Sequence, residues 1–121
     1  MSWRICVCTG DGLRINQHFG HCEACAVYCI DESGAFSLLE ERQLQAVDSS
    51  CEHADALRQK AEKIADCQYV LCEKVGNHAV RILAMHGITA LEYSGEIEAA
   101  LPKLANYLRG RQGIKGAAKG G

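Results

Sequence analysis

The run Asn16-Gln17-His18-Phe19-Gly20-His21-Cys22-Glu23-Ala24-Cys25 holds two imidazoles and two thiols within ten residues. Imidazole and thiolate are the side chains that most readily bind copper, zinc, iron and iron-sulfur groups. Apolar, strand-like segments flank the run, and a connection between strands is where a rigid scaffold presents such groups to an external ligand. An exposed His18, followed by Phe19-Gly20 and a backbone that glycine would let turn sharply, offers one imidazole foothold to a large metal-sulfur group. His21 and Cys22 are near enough in sequence to add contacts. A zinc site from His18, His21, Cys22 and Cys25 would need two ligand pairs with no spacer, whereas structural zinc sites join their pairs across a longer loop. A small metal-binding or redox-sensing module would use His21, Cys22 and Cys25. A histidine bonded only within its own loop is the inert outcome.

Other candidates are more isolated. Cys51 precedes a capped helix, whose N-terminus would lower a thiol pKa, and His78 falls in the first turn of a helix after Gly76-Asn77, near N–H groups that can receive an anion. An ordinary thiol and a solvated imidazole are the simpler readings of these two. His86 before Gly87 suits a helix end and His53 a first turn. Asp11 and Asp48 stand alone, Gly10-Asp11-Gly12 lacks the helix-opening pattern of a dinucleotide fingerprint, and Cys22-x2-Cys25 precedes a strand where a thioredoxin-type pair would open a helix. Enzymatic catalysis is not expected.

The elements that must position the loop follow from periodicity and turn chemistry. Residues 3–9 read as a strand ended by Gly10-Asp11-Gly12, and 26–30 and Phe36–Gln43 as two strands joined by a hairpin at 32–35, hence antiparallel. Ser49 and Glu52 form a capping box opening a helix with the stripe Leu57, Ala61, Ile64 and Ala65. A strand at 68–73, a helix at 77–86 stopped by Gly87, a strand at 88–93 and a helix marked by Ile97, Leu101, Leu104, Ala105 and Leu108 complete the pattern. Pro102 should kink or restart that last helix. A hairpin followed by alternating strands and helices predicts an α/β domain with a mixed sheet covered by helices.

At 121 residues, 48% of them apolar, the chain suits one core. A domain over 1–109 and a flexible, basic, glycine-rich tail over 110–121 are expected. The 15 acids all precede residue 109, while Arg109, Arg111, Lys115 and Lys119 supply four of the 13 bases, so the domain itself is acidic. That sign argues against nucleic acid, and no apolar run is long enough to span a bilayer. Without a signal peptide the eight cysteines belong to a reducing, cytoplasmic setting, where Cys6, Cys8, Cys29 and Cys72, and Cys67 as well, are expected as core filling rather than disulfides.

The Asn-Gln-His-Phe-Gly-His run resembles the signature of the dinitrogenase iron-molybdenum cofactor biosynthesis family, which takes in NifX- and NafY-type carriers and the carboxyl-terminal domain of NifB. Ala65-Asp66-Cys67-Gln68-Tyr69-Val70-Leu71-Cys72 with Val75-Gly76, Leu83 with Gly87-Ile88, and Ile97-Glu98-Ala99-Ala100-Leu101 extend the likeness over about residues 3–108. The resemblance implies a ribonuclease H-like fold with a mixed five-stranded sheet flanked by helices. It also implies a non-enzymatic cytoplasmic carrier of an iron-sulfur cluster, the iron-molybdenum cofactor or a precursor, working with nitrogenase cofactor-assembly proteins as a monomer or weak homo-oligomer. By that resemblance His18 would contact the cargo; by its place in the same loop Cys22 would be a further metal ligand, with Phe19, Gly20 and His21 completing the binding loop. Cys25 stands where an aromatic is usual and should point into the core. An interaction domain that regulates maturation without holding a cluster is the remaining alternative. No Cys-x3-Cys-x2-Cys run of a radical S-adenosylmethionine domain is present, so the chain is expected to act as a stand-alone domain.

Overall fold

The computed structural model describes residues 2–44 and 53–117, with side chains over 2–44 and 56–108. Strand β1 (Trp3–Cys8) is central, and a two-residue strand β2 (Arg14–Ile15) follows it before β3 (Ala24–Ile30) and β4 (Phe36–Gln43). Helix α1 (His53–Lys63), β5 (Tyr69–Cys72), α2 (Asn77–Met85), β6 (Thr89–Glu92), a short β7 (Gly95–Glu96) and α3 (Ile97–Ala117) complete the chain. The main sheet runs β4-β3-β1-β5-β6. Pairs β1/β3 and β3/β4 are antiparallel, whereas β1/β5 and β5/β6 are parallel. This is the expected ribonuclease H-like five-stranded mixed sheet flanked by helices.

Alternation along the strands makes two cores. Cys6, Cys8, Cys25, Val27, Val70 and Cys72 face one side, together with Leu57, Ala61 and Ile64 of α1 and Ala79 and Leu83 of α2. Ile5, Val7 and Leu71 face the other, with Ile97, Leu101, Leu104 and Leu108 of α3. The hairpin between β3 and β4 closes because Asp31 Oδ1 accepts from Ser33 N at 2.9 Å, and Gly34 takes a φ of 92° that other residues resist. At the far end of β4, Arg42 grips Asp66 through both oxygens, at 2.6 and 2.7 Å, tying the edge strand to the exit of α1. The guanidinium holds the Asp66 carboxyl down at about 2.

Several expectations change. The capping box at Ser49 and Glu52 lies outside the described residues, as does Cys51. The antiparallel ribbon β2/β7 was not anticipated, because strands of two residues carry no periodicity; it is continued by Ile97 N donating to Leu13 O at 2.9 Å, which satisfies one N–H at the start of α3. Helix α3 passes through Pro102 without a restart and extends to Ala117, past the tail boundary expected at residue 110. Pro102 costs one backbone bond while Leu101 and Leu104 on either side are buried in the core, and once a helix is nucleated each added glycine costs only about 1 kcal/mol. Cys29, expected in the core, is half-buried, since its cross-strand neighbours Arg4 and Ser37 are both exposed at the rim. No helix of the described residues is long and apolar enough to cross a membrane.

Candidate functional site

The histidine loop lies where β1 and β5 end, the carboxyl edge at which open α/β sheets present ligands. Beyond β1, Asp11 Oδ1 accepts from Leu13 N at 2.8 Å and Arg14 N at 3.0 Å, curling the chain back toward the sheet. Gly10 lets the returning segment pass close: a Cβ there would stand 2.6 Å from Gln17 Nε2. The loop then runs parallel to the segment leaving β5, with Glu73 N donating to Gln17 O at 2.9 Å and Phe19 N to Lys74 O at 3.0 Å. His18 and Lys74 thereby form a parallel bridge.

A single 3-10 turn, Phe19–His21, follows. Its bonds are His21 N to His18 O at 3.0 Å and Cys22 N to Phe19 O at 3.2 Å. The sharp turn expected at Gly20 forms without a left-handed glycine: positive φ occurs at Gly12, Gly34, Gly87 and Gly95, not at Gly20. Its sharpness comes from the 3-10 bonds and from anchoring below. Phe19 is fully buried, and the Lys60 ammonium reaches up from α1 to donate to Phe19 O at 3.2 Å and Gly20 O at 2.8 Å. Lys60 also lies 5.9 Å from the Phe19 ring centroid. It is the buried charged residue of the described structure, and burial lowers its pKa. Sequence reasoning missed Lys60, although it sits three residues after Leu57 and four before Ile64, inside the apolar stripe of α1, where a lysine is out of place unless it has a buried partner.

Above the turn the surface is wet and imidazole-rich. The His18 side chain is 54% exposed, and its Nε2 stands 3.9 Å from Glu73 Oε1. Glu73 accepts a hydrogen bond from Ser94 Oγ at 3.2 Å through its other oxygen, which orients the carboxylate. The His18 and His21 rings meet edge to face with centroids 6.0 Å apart. On the His21 side, Thr9, Gly10, Gln17, His21, Glu23 and Ala24 line an open basin of about 200 Å³.

The remaining candidates separate from this surface. Cys22, expected as a second ligand beside His18, is fully buried, and its thiol donates to Ala24 O at 2.9 Å. The turn that raises His18 and His21 points Phe19 and Cys22 inward, so Cys22 cannot reach a group seated on His18 in this conformation. Cys25 points into the core, as the resemblance implies. The zinc set of His18, His21, Cys22 and Cys25, like the smaller set of His21, Cys22 and Cys25, is thus divided between surface and interior. No group of three or more His, Cys, Asp or Glu side chains among the described residues could hold a metal ion. His78 is exposed on the first turn of α2 and caps nothing, while His86 Nδ1 lies 3.0 Å from Ile82 O in its own helix.

Residues 1–107 match the family model for dinitrogenase iron-molybdenum cofactor. Protein NifY of Klebsiella pneumoniae is 33% identical over 81 residues, which are 67% of this chain and 34% of that protein. The FeMo cofactor biosynthesis protein NifB of Chlorobaculum tepidum is 32% identical over 98 residues, 80% of this chain and 22% of that protein. The chain therefore spans about a third of the one curated relative and under a quarter of the other. Among solved structures, PH0822 superposes with a TM-score of 0.67 at 15% identity, covering 86% of this chain and 91% of its own. A candidate dinitrogenase from Methanocaldococcus jannaschii gives 0.60 at 10% identity, covering 88% and 91%. At those identities the two structures speak for the fold, and the match over residues 1–107 speaks for kinship: the chain belongs to the dinitrogenase iron-molybdenum cofactor family.

Proposed function

We propose that this protein is a non-enzymatic carrier that holds the iron-molybdenum cofactor, or an iron-sulfur precursor of it, as cargo during nitrogenase cofactor maturation. The observation that carries the reading is the His18 imidazole, 54% exposed on a turn secured from beneath. A single protein ligand on an open surface suits cargo that must leave again, whereas a closed four-ligand cage retains its metal. Gly20 and His21, exposed on the same turn, border the cargo, and Phe19 acts from inside by fixing the turn. The buried ammonium of Lys60 sets a positive charge beneath the seat of an anionic cluster. Donor and acceptor would be other cofactor-assembly proteins, a role in keeping with the kinship to NifY and NifB.

Anaerobic titration of the full chain with isolated iron-molybdenum cofactor tests this. One cofactor should bind per chain, and His18→Ala should weaken binding at least about tenfold, equivalent to ~1.4 kcal/mol. Unchanged affinity would refute the role of His18 as the foothold.

A further inference from the structure

Three strand ends converge beside the turn. The loop after β1 carries His18, Glu73 directly follows β5, and Ser94 lies between β6 and β7. Two backbone bonds flank the first pair, Glu73 N to Gln17 O at 2.9 Å and Phe19 N to Lys74 O at 3.0 Å, and hold the two segments in register. Tyr93 N donates to Cys72 O at 2.9 Å and fixes the third segment against the second. The side chains then connect in turn: Ser94 Oγ donates to Glu73 Oε2 at 3.2 Å, and Glu73 Oε1 stands 3.9 Å from His18 Nε2.

The order is serine, carboxylate, imidazole. In a nucleophile triad the histidine stands between the other two and takes the serine proton. Here the carboxylate is central and the hydroxyl donates to it, an arrangement that orients an imidazole rather than activates a nucleophile. The carboxylate faces Nε2, and the two ring nitrogens of a histidine are chemically distinct. Nδ1 of His18 has no hydrogen-bond partner among the described residues, and the side chain does not cap the 3-10 turn. A metal-bound imidazole commonly donates its other ring N–H to a carboxylate, which fixes both the tautomer and the ring plane.

We infer that Glu73 is a positioning residue for the cargo: it accepts a hydrogen bond from Nε2–H of His18, holds the ring, and leaves Nδ1 as the nitrogen that ligates the cluster, while Ser94 steadies the carboxylate. The inference rests on the proposed carrier role and deepens it. Closure of about 1 Å brings Nε2 and Oε1 to hydrogen-bond distance. Side chains that are 54% and 36% exposed have room to make that movement. The sign of the effect separates positioning from plain charge. A carboxylate acting only as a surface charge repels an anionic cluster, so its removal tightens binding, whereas removal of a carboxylate that orients the ligand weakens it.

The test is anaerobic titration of the full chain with isolated iron-molybdenum cofactor, joined to pulsed EPR of the loaded chain made with histidine that carries nitrogen-15 at Nδ1 alone. Glu73→Ala should weaken binding by about 10- to 100-fold. Glu73→Gln, whose amide oxygen still accepts, should recover much of that loss, and Ser94→Ala should cost less than Glu73→Ala. Equal or tighter binding by Glu73→Ala overturns the positioning role. The wild-type spectrum needs no variant: strong coupling to nitrogen-15 supports ligation through Nδ1, and strong coupling to nitrogen-14 alone puts the cluster on Nε2 and contradicts the inference. The two readings fail separately. No binding by the wild-type chain, or affinity unchanged in His18→Ala, would overturn the carrier role and this inference with it, whereas binding that depends on His18 but not on Glu73 overturns the inference alone.

Discussion

The two sides of the turn at residues 18–22 are chemical opposites separated by one backbone. His18, Gly20 and His21 face water, while Phe19 and Cys22, one position away, are enclosed among thiols and aliphatic side chains. The outer side offers a ligand but gives the turn little support. The inner side supplies the support through Phe19 and Lys60 and gives a surface cargo no direct contact. In the proposed carrier role, ligation and stability thus fall to different residues of one short segment, so substitutions on the two sides should fail in different ways.

The largest effect is expected from within. Phe19→Ala removes a fully buried aromatic and should destabilise the fold by about 3–5 kcal/mol in urea unfolding. A cost under 1 kcal/mol would mean that the turn is anchored elsewhere. Lys60→Met keeps the stem but removes the donor to Gly20 O and leaves Phe19 O with Cys22 N alone, an expected loss of about 1–3 kcal/mol. It should also weaken cofactor binding more steeply than its effect on stability explains, because the positive charge beneath the cargo is gone; equal cofactor affinity would reduce Lys60 to a structural role.

A smaller effect belongs to the far end of the sheet. Asp66→Asn breaks the grip of Arg42 at a partly exposed site, where such pairs contribute up to about 1 kcal/mol after solvent screening. The Asp66 carboxyl is held below its ordinary range, so its contribution is fully present above the unfolded-chain value of about 3.9 and fades as pH falls toward about 2. Wild type and Asp66→Asn should therefore converge in stability in strong acid and separate at neutral pH. The smallest stability change is expected for His18→Ala, within about 0.5 kcal/mol, because the exposed imidazole caps nothing.

The strands, the hairpin and the mixed α/β pattern were legible because strand alternation and the hairpin turn at 32–35 are written in local sequence, while the five-stranded fold came through the family resemblance. The final helix was harder: Pro102 and the glycines after it argue locally for a stop, and burial of Leu101 and Leu104 overrides them. At the site, the exposure of His18 was expected from its residue type and neighbours, but the direction of Cys22 was not. A 3-10 turn has neither the strand period nor the helix period, so no pattern announces which of its residues point inward. The cysteines of the core were foreseen as filling, and Cys22 joins them only because the loop returns across the sheet. Lys60 was hidden because a lysine on a helix reads as solvated until its stripe position is weighed.

The contrast between the two sides of the turn is tested most directly by measuring iron-molybdenum cofactor affinity for His18→Ala and Cys22→Ala side by side under anaerobic conditions, with folding of each confirmed by circular dichroism. The account predicts a loss of about tenfold or more for His18→Ala and an affinity within about twofold of wild type for Cys22→Ala. The reverse ranking, with Cys22→Ala the weaker binder, would contradict it.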